Sequence, residues 1–210
     1  MLDFPQYLKL FIGLLAIVNP LGAIPIFISM TAGDTKQRRR KTINLVVLAI
    51  TVILLIVLFF GELLLQFFGI TIHSFRVGGG ILILLMALGM LNAKPGQTMY
   101  SGTEGENAAT KDSMAIVPIA MPLLAGPGAI STIILAAHRG NEVGHYFTIA
   151  FGILVLSLII WALLRMSPWI ESRISASGIN IFTRIMGLIL AAIAVEFIAN
   201  GLKGLFPVLV

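Results

Sequence analysis

Long apolar runs separated by short polar segments constrain this chain most. Of its 210 residues, 58% are hydrophobic and only 11% are charged. A soluble domain carries about 25% charged residues, so this much apolar surface cannot be buried in one small soluble core. A helix needs about 20 apolar residues to cross the hydrocarbon core of a bilayer. Six runs reach that length, at roughly 7–31, 43–66, 75–93, 114–137, 147–166 and 183–202. The sequence predicts an all-α polytopic membrane protein, residues 1–210 forming a single domain of six transmembrane helices.

Composition and motifs exclude several classes of function. The chain has no cysteine, which rules out disulfides, thiolate metal sites and thiol redox chemistry. The net charge of +5 does not indicate nucleic-acid binding, because the basic residues cluster at the ends of apolar runs. The sequence contains no P-loop, no HExxH and no nucleophile elbow. We therefore expect no metal, no cofactor and no enzymatic activity, and any active transport must use an ion gradient.

The distribution of basic residues predicts the orientation. Ten lie on one side of the predicted bundle: Lys36, Arg38, Arg39, Arg40, Lys41, Lys94, Lys111, Arg165, Arg173 and Arg184. Four lie on the other side: Lys9, Arg76, Arg139 and Lys203. The positive-inside rule makes the richer side cytoplasmic. Both termini are thus predicted on the outer, periplasmic side of a bacterial inner membrane.

The two halves of the chain share a proline pattern. NPLGAIP at 19–25 matches MPLLAGP at 121–127 at a constant offset of 102, and FRVGGGIL at 75–82 matches TRIMGLIL at 183–190. Each half, about 7–93 and about 114–202, contains three spans, so the second half enters the membrane from the opposite face. The pattern predicts a 3+3 inverted-topology repeat, the construction of many secondary transporters, with broken first and fourth helices.

A broken helix presents unpaired backbone groups to a ligand. Unwound backbone survives in a bilayer only when it is buried in protein or lines a wet cavity. A half-helix that begins near Pro25 or Pro127 would point free N–H groups at the midplane and would suit a carboxylate. The alternative is that these prolines only kink their helices. The candidate substrate-binding residues are Asn19, Pro20, Gly22, Pro25, Pro122, Ala125, Gly126, Pro127, Gly128, Ser131 and Thr132.

Isolated charges in the spans are further candidates. Glu196 lies deep in the sixth span, where a charge is costly and usually faces the protein interior, so it is a candidate for ion coupling. It could instead be a carboxyl that locks helix packing. Arg76 and Arg184 occupy equivalent span starts and could contact a carboxylate, act in gating, or reach the head groups. The three histidines are predicted in outward loops, without metal-ligand spacing.

The quoted motifs resemble a known family. VNPLGAIPIFISMT, MPLLAGPGAIST and TRIMGLILAAIAVEFIANGLKGLFP are similar to the MarC family of bacterial inner-membrane proteins, also called the neutral amino acid transporter family and grouped with the LysE-type transporters. The resemblance covers essentially the whole chain. It implies six spans and gradient-driven transport of small neutral amino acids such as glycine and alanine, with a proton the expected coupling ion.

The sequence thus favours a secondary transporter of small neutral amino acids. Its expected partners are the lipid bilayer, a small zwitterionic amino acid and a proton, and a homo-oligomer stays open. Two alternatives stay open as well: an exporter of another small solute or drug, and a membrane assembly partner that transports nothing. A drug pocket would need more aromatic lining than two Trp and three Tyr provide.

Overall fold

The described part of the chain is helical. The computed structural model describes residues 3–31, 33–92, 124–140, 142–173 and 176–206. Its helices are α1 (Phe4–Val18), α2 (Pro20–Met30), α3 (Lys36–Phe67), α4 (Ile72–Asn92), α5 (Pro127–Ala137), α6 (Val143–Arg173) and α7 (Ala176–Leu205). Five stretches are long and apolar enough to cross a membrane: Phe4–Ile24, Lys36–Phe67, Ile72–Asn92, Val143–Ile170 and Ile181–Leu205. The predicted all-α polytopic membrane protein is thereby confirmed.

The predicted fourth span is only partly described. Its second half is α5, an apolar helix of 11 residues. The first half, 114–123, lies outside the described residues. At 1.5 Å per residue, α5 is about 16 Å long, which is roughly half the hydrocarbon core.

Helices α3 and α6 are antiparallel and share polar contacts along their length. Three side-chain hydrogen bonds join them: Arg39 Nη2 to Ser167 Oγ at 2.8 Å, Trp161 Nε1 to Asn44 Oδ1 at 3.0 Å, and Thr51 Oγ1 to Ser157 Oγ at 2.7 Å. Because the residue numbers of the bonded partners rise along α3 as they fall along α6, the two helices run in opposite directions. The hydroxyls of Thr51 and Ser157 also lie within hydrogen-bond distance of carbonyls four residues earlier, so these polar groups are satisfied inside an apolar pair.

The proline in α6 does not end the helix. Sequence patterns predict an interfacial turn at Pro168, but the residue lies inside Val143–Arg173. Proline cannot donate to the carbonyl four residues earlier, that of Leu164. The Ser167 hydroxyl donates to this oxygen at 2.7 Å instead. A neighbouring side chain therefore replaces the missing backbone donor, and the helix continues.

Helices α4 and α7 pack closely through glycines. A Cβ on Gly80 would lie 3.0 Å from the Ala194 carbonyl oxygen, and a Cβ on Gly187 would lie 3.1 Å from that of Ala87. A Cβ on Gly201 would lie 3.0 Å from the His73 carbonyl oxygen. The pairing reverses along the two helices, so α4 and α7 are antiparallel. Small residues bring the backbones this close, a common feature of transmembrane helix pairs.

The triple glycine at 78–80 lets α4 contact two neighbours. Gly79 lies against Ser131 of α5, at 2.7 Å from the Cβ it would carry, and Gly80 lies against α7. Gly78 has no neighbour within 4 Å of its own Cβ position. Successive residues point about 100° apart around a helix, which directs the two glycines to different partners. Helix α4 thus packs between α5 and α7.

Alanine substitution should separate the packed glycine from the open one. We expect Gly80→Ala to cost about 1–3 kcal/mol, because its methyl group meets fixed backbone atoms of α7. Gly78→Ala is the matched control and should be neutral or stabilising by up to about 1 kcal/mol, since alanine has the higher helix propensity. Thermal unfolding of purified protein in detergent measures both. Equal melting temperatures for the two variants would contradict the close α4–α7 packing.

Candidate functional site

Asn19 produces the first helix break. Its backbone is left-handed, with φ 45° and ψ 61°, and it is the one non-glycine residue with positive φ in the part of the chain that the structure describes. Asparagine adopts this conformation more readily than other residues with a side chain. Its N–H donates to the Leu15 carbonyl at 3.0 Å and ends α1, while its Oδ1 accepts from the Gly22 N–H at 3.3 Å. Asn19 therefore caps α1 and α2 together.

The second helix of the break begins at Pro20, not near Pro25. Pro20 occupies the first position of α2, where the missing N–H costs nothing, and Pro25 lies inside Pro20–Met30. The prediction of a start near Pro25 is wrong because a proline alone does not start a helix. Pro25 follows Ile24, whose branched side chain disfavours left-handed backbone and offers no capping oxygen. Only Asn19 supplies both.

The second break has the predicted start. Helix α5 begins at Pro127, with Gly126 as its N-cap in extended conformation, φ −67° and ψ 174°. Gly126 has no side chain, so it gives no side-chain oxygen to the first-turn N–H groups. Gly126 thus has no counterpart of the side-chain cap that Asn19 supplies, which distinguishes the two breaks.

The two breaks correspond at a different offset from the sequence match. Each is followed by an 11-residue helix that starts with proline. Pro127 lies 107 positions after Pro20, and Val143, which starts α6, lies 107 after Lys36, which starts α3. The starts of these helices thus differ by 107 positions, whereas the sequence match, which pairs Pro20 with Pro122, has an offset of 102. Apolar motifs match easily by chance, and Pro122 lies outside the described residues.

The two breaks share one core. A Cβ on Gly128, near the start of α5, would lie 3.0 Å from Ile17 Cγ2 and 3.0 Å from Ile83 Cγ1. Ile17 is in the last turn of α1, so the carbonyl end of α1 packs beside the N–H end of α5. Ala23, Ala125 and Ala129 are buried in the same hydrophobic core as Ile17 and Ile83. Both breaks therefore contribute small residues to one buried core.

Gly22 is required by the cap. The Cβ it lacks would overlap Asn19 Nδ2, so any larger residue displaces the amide that holds the first break. The hydroxyls of the remaining candidates belong to α5. Thr132 Oγ1 donates to the Gly128 carbonyl at 2.8 Å, and Ser131, 2% exposed, contacts Gly79. Both therefore lie in the packed region around the second break.

The predicted charged candidates lie away from the breaks. Glu196 and Arg184 are exposed on α7, and Arg76 is half-buried at the start of α4, close enough to Arg139 for the two charges to interact. The expectation that Glu196 faces the interior is not met, because α7 packs on α4 through Gly187, Ala194 and Gly201. Glu196 lies about 200° around the helix from Ala194, since each residue adds about 100°.

His145 is a residue that sequence reasoning placed wrongly. It is predicted in a loop, but it lies in the first turn of α6 and is 0% exposed. Its Nδ1 lies 2.7 Å from the Tyr7 hydroxyl of α1, and its Nε2 lies 2.8 Å from the Ala136 carbonyl oxygen of α5. The signal was local: His145 directly precedes the apolar run YFTIAFGILVL, in which a helix can begin early.

Known proteins resemble this chain over nearly its whole length. The UPF0056 membrane protein YhcE of Escherichia coli K12 is 46% identical over 205 residues, covering 98% of this chain and 95% of that protein. The UPF0056 membrane protein YvbG of Bacillus subtilis is 36% identical, covering 98% of each chain. A UPF0056 membrane protein of Methanocaldococcus jannaschii is 37% identical, covering 97% of this chain and 98% of that protein.

No solved structure matches the chain. The family model described as MarC family integral membrane protein matches residues 4–206. This match, together with relatives that are over 30% identical along almost their full length, establishes membership. The chain is a multi-pass integral membrane protein that belongs to the MarC family.

Proposed function

We propose that this chain is a secondary transporter of small neutral amino acids and that the substrate binds between its two helix breaks. The observation that carries the proposal is the contact between Ile17 and Gly128, which brings the carbonyl end of α1 beside the N–H end of α5. In a bilayer such exposed backbone ends survive only next to protein or water, and broken helices in transporters use them to bind ligands.

The two helix ends match the two charges of a zwitterion. The start of α5 carries partial positive charge and suits the carboxylate. The end of α1 carries partial negative charge, and the Ala16 and Leu21 carbonyls lose their helical donors because Pro20 and Pro25 follow four residues later. These carbonyl oxygens suit the ammonium group.

The residues at the breaks favour a small ligand without net charge. Glycine and alanine at 22, 23, 125, 126, 128 and 129 allow close approach to the backbone. Among the buried residues in the described ranges, none is Asp, Glu, Lys or Arg. A ligand with net charge would therefore meet no buried compensating side chain in these ranges, whereas a zwitterion brings both charges itself.

The inverted repeat is part of the same proposal. It is supported by the recurrence of a proline-started helix of 11 residues after each break, followed by helices of 32 and 31 residues, α3 and α6. An inverted pair would bring the two breaks face to face near the midplane. With both termini predicted outside, a C-terminal reporter that is active only in the cytoplasm should stay silent; activity would contradict this orientation.

Counterflow in proteoliposomes tests the function. Vesicles loaded with unlabelled alanine should accumulate labelled glycine, alanine or serine, and protein-free vesicles should not. Alaninamide, which lacks the carboxylate, should fail to compete. Absence of counterflow for every small neutral amino acid would contradict the proposal, and flux of a drug instead would favour the exporter alternative.

A further inference from the structure

His145 joins three helices at one end of the bundle. It belongs to α6, accepts or donates at Nδ1 with Tyr7 of α1, and reaches the Ala136 carbonyl of α5 through Nε2. Its side chain is 0% exposed, so each ring nitrogen depends on its protein partner. A buried imidazole held on both sides in this way is positioned by the fold and has a defined tautomer.

The partners fix where the proton lies in the neutral ring. A carbonyl oxygen can only accept, so Nε2 carries the hydrogen that is donated to Ala136. Nδ1 then accepts from the Tyr7 hydroxyl. When Nδ1 binds a proton it becomes a donor, and the Tyr7 oxygen becomes the acceptor. The contact between α1 and α6 thus changes direction with the charge of the imidazole.

Helix α5 connects this histidine to the second break. Ala136 lies in the last turn of α5, and Pro127 starts the same helix. The carbonyl end of a helix favours a protonated histidine, just as its N–H end favours an anion. A positive imidazole at the carbonyl end of α5 and a carboxylate at its N–H end therefore both interact favourably with the dipole of this 11-residue helix, and both favour the same position of the helix.

We propose that His145 is the site at which the coupling proton binds. The inference deepens the proposed function and rests on it. The proton adds to Nδ1 from one side of the membrane, Tyr7 turns from donor to acceptor, and α5 transmits the change to the substrate site. By linkage, substrate and proton increase each other's affinity by the same factor. Imidazole suits this task because it ordinarily titrates between about pH 5 and 8.

Several other titratable groups lie near His145. His138 at the end of α5 is paired with Glu62 of α3, with 2.9 Å between Nδ1 and Oε1, and is exposed. The titratable side chains around the His145 ring are Tyr7 from α1, Tyr146 from α6, Glu142 just before α6, and His138 with Arg139 after α5. Of the histidines and carboxylates among these, only His145 is buried.

A glutamine at position 145 separates the effect of proton binding from the effect of the two hydrogen bonds. In His145→Gln the amide N–H₂ can still donate to the Ala136 oxygen and the amide oxygen can still accept from Tyr7, but the side chain does not titrate. We expect uptake of labelled alanine driven by a proton gradient to fall about tenfold or more, with exchange at equal pH kept within about twofold. His138→Gln, the matched control, should keep both activities, and so should Glu196→Gln, because Glu196 lies outside the bundle.

A proton-binding measurement separates this inference from the function itself. Nitrogen-15 NMR of histidine-labelled protein in nanodiscs should show an imidazole signal that is lost in His145→Gln and that changes from the neutral to the protonated form as the pH is lowered. This readout needs no transport, so failure of amino-acid counterflow would contradict the proposed function without deciding the proton site. A His145 ring that stays in one protonation state at every pH at which the protein remains folded, or unchanged driven uptake in His145→Gln, would overturn the inference.

Discussion

Replacing Asn19 with alanine should reduce counterflow of alanine about tenfold or more, whereas replacing it with glycine should leave most of the activity. The expected difference rests on backbone geometry. Left-handed backbone costs a residue with a Cβ about 1–2 kcal/mol, and loss of the capping oxygen costs about 1 kcal/mol more. Both losses fall on the point where α1 ends and α2 begins. Glycine keeps the left-handed turn and loses only the side-chain cap.

The control for this prediction is expression and folding. Both variants should give a monodisperse peak in detergent chromatography, so that a lower flux reflects the site. Equal counterflow in Asn19→Ala and Asn19→Gly would show that the left-handed cap is not needed, and would contradict the role given to the first break.

Replacing Gly128 with valine should abolish counterflow. The position of its Cβ is already 3.0 Å from both Ile17 and Ile83, so two further methyl groups would force α5 away from α1. Overpacking of this kind costs about 1–3 kcal/mol, and here it also separates the two helix ends that the substrate joins. The flux of labelled alanine into preloaded proteoliposomes measures the effect.

Gly13→Val is the matched control for Gly128→Val. Gly13 lies in α1, and no neighbouring atom comes within 4 Å of its Cβ position. It should keep counterflow within about twofold, because the position has room for the side chain and valine is no worse a helix former than glycine. If the Gly128→Val variant transports alanine as well as the Gly13→Val variant, the substrate does not bind between the two breaks.

The class and most span positions could be predicted from sequence because bilayer thickness dictates the length of apolar runs. The predicted third span, 75–93, appears as Ile72–Asn92. The second, 43–66, begins earlier, at Lys36, because Thr35 caps a basic first turn that hydropathy does not count as membrane. Element boundaries depend on caps, and caps are read from single residues rather than from averages.

The breaks show where sequence reasoning was sufficient and where it was not. Pro127 starts its helix as predicted, because a glycine precedes it and proline fits the first position. Pro25 does not, because Asn19 provides the cap six residues earlier. The pair Asn19-Pro20 is itself a helix-start signal, because asparagine can cap and proline fits the first helical position. The prediction chose Pro25 instead, because Pro25 matches Pro127 in the sequence alignment of the two halves.

Side-chain direction was the least predictable property. The membrane depth of Glu196 follows from its place in the sixth span, but the face it occupies depends on which side of α7 packs on α4. The small residues Gly187, Ala194 and Gly201 decide this, and they pack against α4 while Glu196 points outward. For His145, the partners come from residues as distant in sequence as Tyr7, so no local pattern could have revealed the contact.

In the proposed transporter, the carboxylate of a small zwitterion lies at the start of α5. Rotational-echo solid-state NMR between carboxyl-labelled alanine and nitrogen-labelled glycine in lipid vesicles measures this proximity. We expect dephasing from a glycine amide within about 4 Å of the carboxylate carbon, the separation expected across a hydrogen bond. The same signal should be lost in Gly128→Ala, because position 128 then carries no labelled glycine. Dephasing that is absent, or unchanged in Gly128→Ala, would contradict this placement of the substrate.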